Sequence, residues 1–98
     1  MTNKFDLYEA LKNDGFEFEK VDAFGGEYLT KKFEREVEVV WYGKMLSTLE
    51  VVVRFSSDHN TITVNYFKGT ARPFKTKTHL NDKRAYNAIN ATIENNMF

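Results

Sequence analysis

The chain has 98 residues, of which 42% are apolar and 15% aromatic, and it contains no cysteine. This length suits one domain, residues 1–98, and the apolar content is too high for a disordered chain. The lack of cysteine excludes a disulfide framework and thiolate chemistry. No apolar run reaches the roughly 18 residues of a membrane span, and the N-terminus lacks a signal-peptide pattern, so we expect a cytoplasmic protein without membrane contact.

The acidic and basic side chains cancel overall, but they are distributed unevenly along the chain. Residues 1–50 carry 11 acidic and 7 basic side chains, whereas residues 51–98 carry 3 and 7. Most of the positive excess lies in the stretch 68–84, which has six cations and one aspartate. A localised charge of this kind indicates what a surface contacts, whereas net charge bears mainly on solubility.

The first part of the chain predicts a helix followed by a short strand. Apolar residues recur at helical spacing over residues 3–14, and Asn3 is suited to be the N-cap. The period then changes to two over residues 16–24, where phenylalanines alternate with glutamates before the pair Gly25 and Gly26. Whether this segment joins the sheet as a fourth strand is left open.

Three longer strands follow, over residues 33–42, 49–55 and 62–67, with breaks of turn length between them. Their strict alternation predicts an antiparallel meander with one buried face. On this pattern Trp41 faces the interior, and pairing it with Leu49 places Glu36 opposite Arg54. The second hairpin then places Arg54 beside Thr63.

The last part of the chain predicts an irregular basic stretch and a helix. Pro73 argues against a regular strand or helix interior within residues 68–84. A helix is predicted from about Asp82 to the C-terminus, with Asn81 as N-cap. Its apolar stripe consists of Tyr86, Ile89, Ile93 and Met97. The predicted fold is therefore α+β, an antiparallel three- to four-stranded meander with both helices on one face, in the order α-β-β-β-α.

Candidate catalytic groups are few. His59 stands in a turn beside Asp58, and His79 comes just before the last helix. Two histidines about twenty positions apart, without cysteines or spaced carboxylates, do not form a metal-binding pattern. The chain also lacks nucleophile and phosphate-loop motifs. We therefore expect no enzyme, no catalytic residue, no metal and no cofactor.

The first candidate contact surface is an acidic sheet face. Glu34, Glu36 and Glu38 project from one side of a strand, about 6.6–6.8 Å apart by strand geometry. This row is either a solvated face or a partner-binding surface, to which Glu50 and Tyr42 would add. As a contact surface it would dock on a basic cleft of a host protein, such as a nucleic-acid enzyme. A homodimer through the same face is the further alternative.

The second candidate contact surface is a basic patch. It comprises Lys68, Arg72, Phe74, Lys75, Lys77, Lys83 and Arg84. Lys83 and Arg84 would lie in the first turn of a helix, where the dipole disfavours cations by roughly 0.3–1 kcal/mol each. A local rule broken in this way points to a functional, anion-facing surface, and the alternative is a solvated loop.

Two resemblances concern topology and style. The order helix, three strands, helix resembles double-stranded-RNA-binding domains, and Lys83-Arg84-Ala85 is similar to the basic start of their last helix. The loop between the first strands is here Tyr42-Gly43-Lys44-Met45, in place of a Gly-Pro-His type. In size, lack of cysteine and a composition typical of AT-rich genes, the chain resembles small phage proteins that include anti-CRISPRs.

These patterns favour a small non-enzymatic binding protein. We expect a phage or mobile-element inhibitor that occludes a surface of a host nucleic-acid-handling protein through its charged patches. The alternative is a module that binds RNA or DNA directly, through the basic stretch 68–84 and the last helix.

Overall fold

The computed structural model describes residues 5–41 and 43–96. In chain order the elements are α1 (Leu7–Asn13), β1 (Glu17–Val21), β2 (Glu27–Val39), β3 (Gly43–Phe55), β4 (Thr61–Phe67), β5 (Lys75–Leu80) and α2 (Lys83–Asn95). The strands form one antiparallel sheet in the order β1-β2-β3-β4-β5, so neighbours in the sequence are neighbours in space. The α+β class is confirmed, but the sheet has five strands and not three to four.

The two additional strands form the edges of the sheet. Residues 16–24 do contribute a strand, because β1 pairs with the start of β2. At the other edge, β5 lies within the basic stretch that we expected to be irregular. Pro73 precedes β5, so its missing N–H does not interrupt the ladder with β4. With five strands between the helices, the topological likeness to double-stranded-RNA-binding domains does not hold.

The hydrophobic core lies between one face of the sheet and the two helices. Its strand residues are Phe16, next to β1, and Leu29, Leu49, Val51, Val53, Phe55, Ile62, Val64 and Tyr66; its helix residues are Leu7, Leu11, Ala85, Ile89 and Ile93. Every second residue is buried in β3 from Leu49 to Phe55 and in β4 from Ile62 to Tyr66, which confirms the two-residue alternation in these segments. The stripe of the last helix is confirmed for Ile89 and Ile93, whereas Met97 lies outside the described residues.

Both helices begin at aspartate caps. Asp6 caps α1 and Asp82 caps α2, each accepting a hydrogen bond from the main-chain N–H three residues ahead. The predicted caps differ: Asn3 lies outside the described residues, and Asn81 instead donates its side-chain amide to the carbonyl of His59. The carboxylate of Asp82 accepts from the N–H of Ala85 in the first turn of α2, so Asp82 is the N-cap and not its neighbour Asn81.

The register between β2 and β3 differs from the predicted one. Glu36 faces Leu46 and not Arg54, because β3 begins at Gly43 and continues through a segment that we interpreted as a loop. The shift is eight residues, an even number, so the strand faces stay as predicted. Trp41 is the exception. It lies in the turn between the strands and is 87% exposed, so its predicted burial is wrong. The pairing of Arg54 with Thr63 on β4 is confirmed.

A network around Asp22 fixes the other end of this ladder. One oxygen of Asp22 accepts a hydrogen bond from Arg54 Nε at 2.7 Å and another from the Tyr28 hydroxyl. The other oxygen accepts the main-chain N–H groups of Phe24 and Gly26, which closes the turn between β1 and β2. A Cβ at position 26 would overlap the Arg54 guanidinium, so a larger residue there would displace Arg54 from Asp22. The hydrogen bond from Arg54 is the main cause that holds the pKa of Asp22 well below its usual range.

This lowered pKa predicts a specific pH dependence of stability. A carboxyl whose pKa is depressed by folding stabilises fully above its unfolded pKa of about 3.9, and the stabilisation is lost as the pH falls below that value. We expect Asp22→Asn to lower the urea midpoint at pH 7 and to make the decline between about pH 5 and pH 2 shallower. Urea titrations followed by circular dichroism measure both effects.

The matched control is Glu36→Gln, which removes an exposed carboxylate that pairs with Lys44 at 4.0 Å. We expect this variant to keep the wild-type midpoint. If Asp22→Asn instead behaves like Glu36→Gln at every pH, the network does not stabilise the fold as described.

Candidate interaction surfaces

Residues 34–41 and 43–48 form a two-stranded ribbon that extends beyond the rest of the sheet, and we call it the arm. On one side, β4 pairs with β3 only between Glu50 and Phe55; on the other, β1 pairs with β2 no further than Thr30. Each strand of the arm therefore lacks a second neighbour among the described residues. The arm rises about 17 Å from its base to its turn, and the molecule is elongated, 55 × 32 × 19 Å.

The tip of the arm is apolar. Val40 is 94% exposed and Trp41, the single tryptophan of the chain, is 87% exposed. Met45 and Leu46 extend this exposed apolar surface along β3, and Val37 lies across from Met45. Large apolar side chains gathered on one exposed projection are typical of a contact site and add nothing to the core.

The predicted acidic row lies on one face of the arm. Glu34, Glu36 and Glu38 are all exposed. Lys32 is 3.6 Å from Glu34, and Lys44 is 4.0 Å from Glu36. Both pairs are largely exposed, so water weakens them and the row keeps its negative field.

Of the other two residues predicted for the acidic face, only Glu50 is described. Glu50 is exposed on the same face, but it lies at the base of the arm and opposite Lys32 in the ladder. The three carboxylates of the row therefore lie on the β2 strand of the arm, whereas Glu50 lies on β3 in the body of the sheet. Tyr42 lies outside the described residues.

The basic residues are spread along the β5 edge and do not form one cluster. Lys68 and Arg72 lie in the loop before β5, Lys75 and Lys77 on the strand, and Lys83 and Arg84 at the start of α2. Since β5 spans about 17 Å, these cations form a stripe along the edge of the sheet. Among the described residues, none of the six has a carboxylate within 4.0 Å.

Phe74 is held in place within this stripe. Its ring lies 6.4 Å from that of Tyr66, and Lys68 Nζ lies 5.2 Å above it. Phe74 remains partly exposed, so only part of the ring is available for a ligand to stack on. The structure therefore gives Phe74 a packing role beside the predicted binding role.

A cleft of about 510 Å³ lies between the starts of the two helices and the turn that joins β3 to β4. Its carboxylates are Asp6, Asp58 and Asp82. Each accepts a hydrogen bond from a main-chain N–H of its own turn. The hydrogen bond from the hydroxyl of Ser56, and after it the one from the N–H of Asn60, lowers the pKa of Asp58. These groups thus have local structural partners.

The two histidines occupy different environments. His59 lines this cleft, with its ring 5.8 Å from that of Tyr8 and its Nε2 atom 3.6 Å from a carboxylate oxygen of Glu27. His79 lies on β5 opposite Ile62 and does not line the cleft. The structure therefore does not bring the two imidazoles into one site.

Within residues 5–41 and 43–96, no three histidine, aspartate or glutamate side chains are grouped so that they could hold a metal ion. In the same part of the chain, no helix has the length and apolar character needed to cross a membrane. Comparisons with known protein families, curated proteins and solved structures find no match.

The exposure of Trp41 at the tip was missed because apolar alternation continues into the turn. Val37, Val39 and Trp41 follow one two-residue rhythm, although the strand ends at Val39. The available signal was Gly43, which has φ +74° and follows a three-residue loop. Glycine at a left-handed position directly after such a loop is typical of a hairpin turn.

Trp41 gives a direct optical test of this geometry. We expect indole fluorescence typical of a water-exposed ring, quenched readily by acrylamide, because Trp41 has almost no contact with the body. We also expect Trp41→Ser to leave the urea midpoint unchanged, whereas Leu29→Ala, in the core, should cost about 2–5 kcal/mol. Blue-shifted emission that resists quenching would show that the indole is buried.

Proposed function

We propose that this protein is a non-enzymatic binding protein that docks on another protein through the arm. The observation that carries the proposal is the exposure of Trp41 and Val40 at the tip of a ribbon that leaves the body of the fold. Tryptophan is enriched among residues that dominate binding energy. Burying about 150–250 Å² of its surface is worth roughly 4–6 kcal/mol before the costs of association.

The shape and charge of the arm support a cleft as its target. Two paired strands are about 5 Å apart, so the arm is narrow enough to enter a groove that a sheet face cannot. A matching groove would have cations along the wall that faces Glu34, Glu36 and Glu38, and an apolar pocket at its end for Trp41. Grooves lined by cations are typical of proteins that bind nucleic acid, so we propose that the partner is a host nucleic-acid-handling protein whose groove the arm occludes.

We further propose a phage or mobile-element origin, a cytoplasmic site of action and an anti-defence role of the anti-CRISPR kind. What supports this is the size of the chain, its lack of cysteine and a composition typical of AT-rich genes. The two proposals are separable: the arm would be a protein-binding element whatever the origin of the gene.

Affinity capture with a matched pair of variants tests the arm. Tagged wild-type protein, Trp41→Ser and Phe24→Ser are compared on nuclease-treated bacterial lysate, so that nucleic acid cannot bridge the bait and its partner. Phe24 is a suitable control because it is 84% exposed but lies in the turn between β1 and β2. We expect one stoichiometric partner with wild type and Phe24→Ser, and a loss of roughly 30-fold or more in its affinity for Trp41→Ser.

The acidic row is tested on the purified complex. We expect Glu36→Lys combined with Glu38→Lys to weaken binding and to reduce its dependence on salt, because both side chains would face cations. A partner that binds wild type and Trp41→Ser equally well would contradict the proposal, and an unchanged affinity of the charge-reversal variant would exclude the acidic row from the contact.

Direct binding of RNA or DNA is the second candidate, and the stripe of cations without nearby carboxylates favours it. It predicts an affinity for generic duplex or single strands that falls steeply with salt concentration. It also predicts that Lys75→Ala, Lys77→Ala, Lys83→Ala and Arg84→Ala together abolish binding. Fluorescence anisotropy with labelled oligonucleotides measures both effects, and no binding at about 50 mM salt would exclude this function.

A further inference from the structure

The outer edge of β5 presents main-chain groups that no described strand pairs with. The N–H of Asn81 donates to the carbonyl of Asn60, which extends the ladder between β5 and β4 by one hydrogen-bonded pair. Such pairs alternate along an antiparallel ladder, so Lys77 directs its N–H and C=O toward β4. Thr76 and Thr78 therefore direct theirs away from the sheet, at the edge where the strand order ends.

This edge is flanked by positive charge along its whole length. Lys75 and Lys77 lie opposite Tyr66 and Val64 and so project from the core side of β5, with further cations of the stripe at both ends of the strand. Among the residues that the structure describes, no carboxylate lies within 4.0 Å of any of these cations. Main-chain donors and acceptors thus lie beside uncompensated ammonium groups.

We propose that the β5 edge binds an extended acidic peptide segment of a partner protein, which joins the sheet as a sixth, antiparallel strand. The main chain of Thr76 and Thr78 would exchange hydrogen bonds with the added strand. Carboxylates at alternate positions of that strand would lie opposite Lys75 and Lys77. This surface is separate from the arm and does not depend on the function proposed for it.

The chemistry of the edge favours a peptide over a nucleic acid. The outward groups of Thr76 and Thr78 are two donors and two acceptors in alternation, which matches another extended main chain. A phosphodiester backbone offers acceptors, so it would leave the carbonyls of Thr76 and Thr78 without donors. Cations alone would serve either ligand, but the carbonyl groups discriminate between them.

Charge also excludes a second copy of β5 as the occupant. Two β5 strands side by side would bring lysines together, and lysine on an edge strand is a known device against self-pairing. The other edge of the sheet, β1, contains Glu17 and Glu19, but its ladder is irregular between Phe18 and Lys20. An acidic strand from another protein avoids both the repulsion between lysines and the irregular β1 edge. The lysines that repel a second copy of β5 attract such a strand.

The test uses a labelled peptide, Ac-Thr-Glu-Thr-Glu-Thr-Glu-NH2, titrated with the full chain in a fluorescence anisotropy assay at low salt. In antiparallel pairing the threonine N–H groups face β5 and the glutamate N–H groups face away. We therefore expect N-methylation of the three threonines to weaken binding at least about tenfold, and N-methylation of the three glutamates to change it little. The two modified peptides have equal charge and equal numbers of methyl groups.

Protein variants complete the test. Lys75→Glu combined with Lys77→Glu should abolish peptide binding, whereas Lys44→Glu on the arm and Trp41→Ser should bind the peptide as wild type does. Circular dichroism checks that each variant is folded. No binding of the parent peptide, equal binding of both N-methylated peptides, or equally tight binding of a 20-residue oligo(dT) would overturn the proposal. Since Trp41→Ser should still bind the peptide, failure of the β5-edge proposal is distinguishable from failure of the proposal that the arm docks on a partner.

Discussion

The ladder between β2 and β3 determines the shape of the molecule. Both strands are 13 residues long and pair along their full length, whereas β1, β4 and β5 have five, seven and six residues. The shorter strands cover only one half of the ladder, so the other half must project as the arm. Two features fix the register that produces this overhang. The Asp22–Arg54 network lies at the end of the ladder farthest from the arm, and the turn before Gly43 lies at the tip of the arm.

The sequence predicts which way each strand residue faces more reliably than which residue it pairs with. Burial of Val51, Val53 and Val64 follows from alternation, since a strand exposes its side chains on opposite faces in turn. A register shift by an even number of residues leaves those faces unchanged, so alternation could not distinguish Leu46 from Arg54 as the partner of Glu36. Only the position of the turn decides it, and the apolar run through Trp41 concealed that turn.

The same reasoning explains why the acidic row was predictable and the β5 edge was not. Glu34, Glu36 and Glu38 alternate with a set of residues that is apolar and partly buried apart from the exposed Arg35, which is the usual signal of a two-faced strand. On β5, lysines and threonines alternate, so both sets are polar and no apolar period appears. An edge strand with little burial leaves only Pro73 as a local signal, and that residue argued for a loop.

Sheet order converts the uneven charge along the chain into a gradient across the sheet. Because the strands follow one another in space as in the sequence, residues 17–26, with three acidic side chains and one basic side chain, lie at one edge. Residues 68–80, with four basic and no acidic side chains, lie at the other. A fixed gradient of this kind orients the molecule as it approaches a charged partner, and it does so with zero net charge.

The arm lies between these edges and has fewer stabilising contacts of its own than the body has. A two-stranded ribbon is marginally stable in water, because it has no third strand and little apolar burial of its own. The cross-strand ion pair of Lys44 with Glu36 is exposed and weak, so the ladder at the base of the arm is what holds it. A groove that covers both faces of the ribbon would supply the missing neighbours and bury the indole of Trp41 in the same event. Binding and ordering of the arm would then be coupled, so part of the binding free energy would be used to order the ribbon.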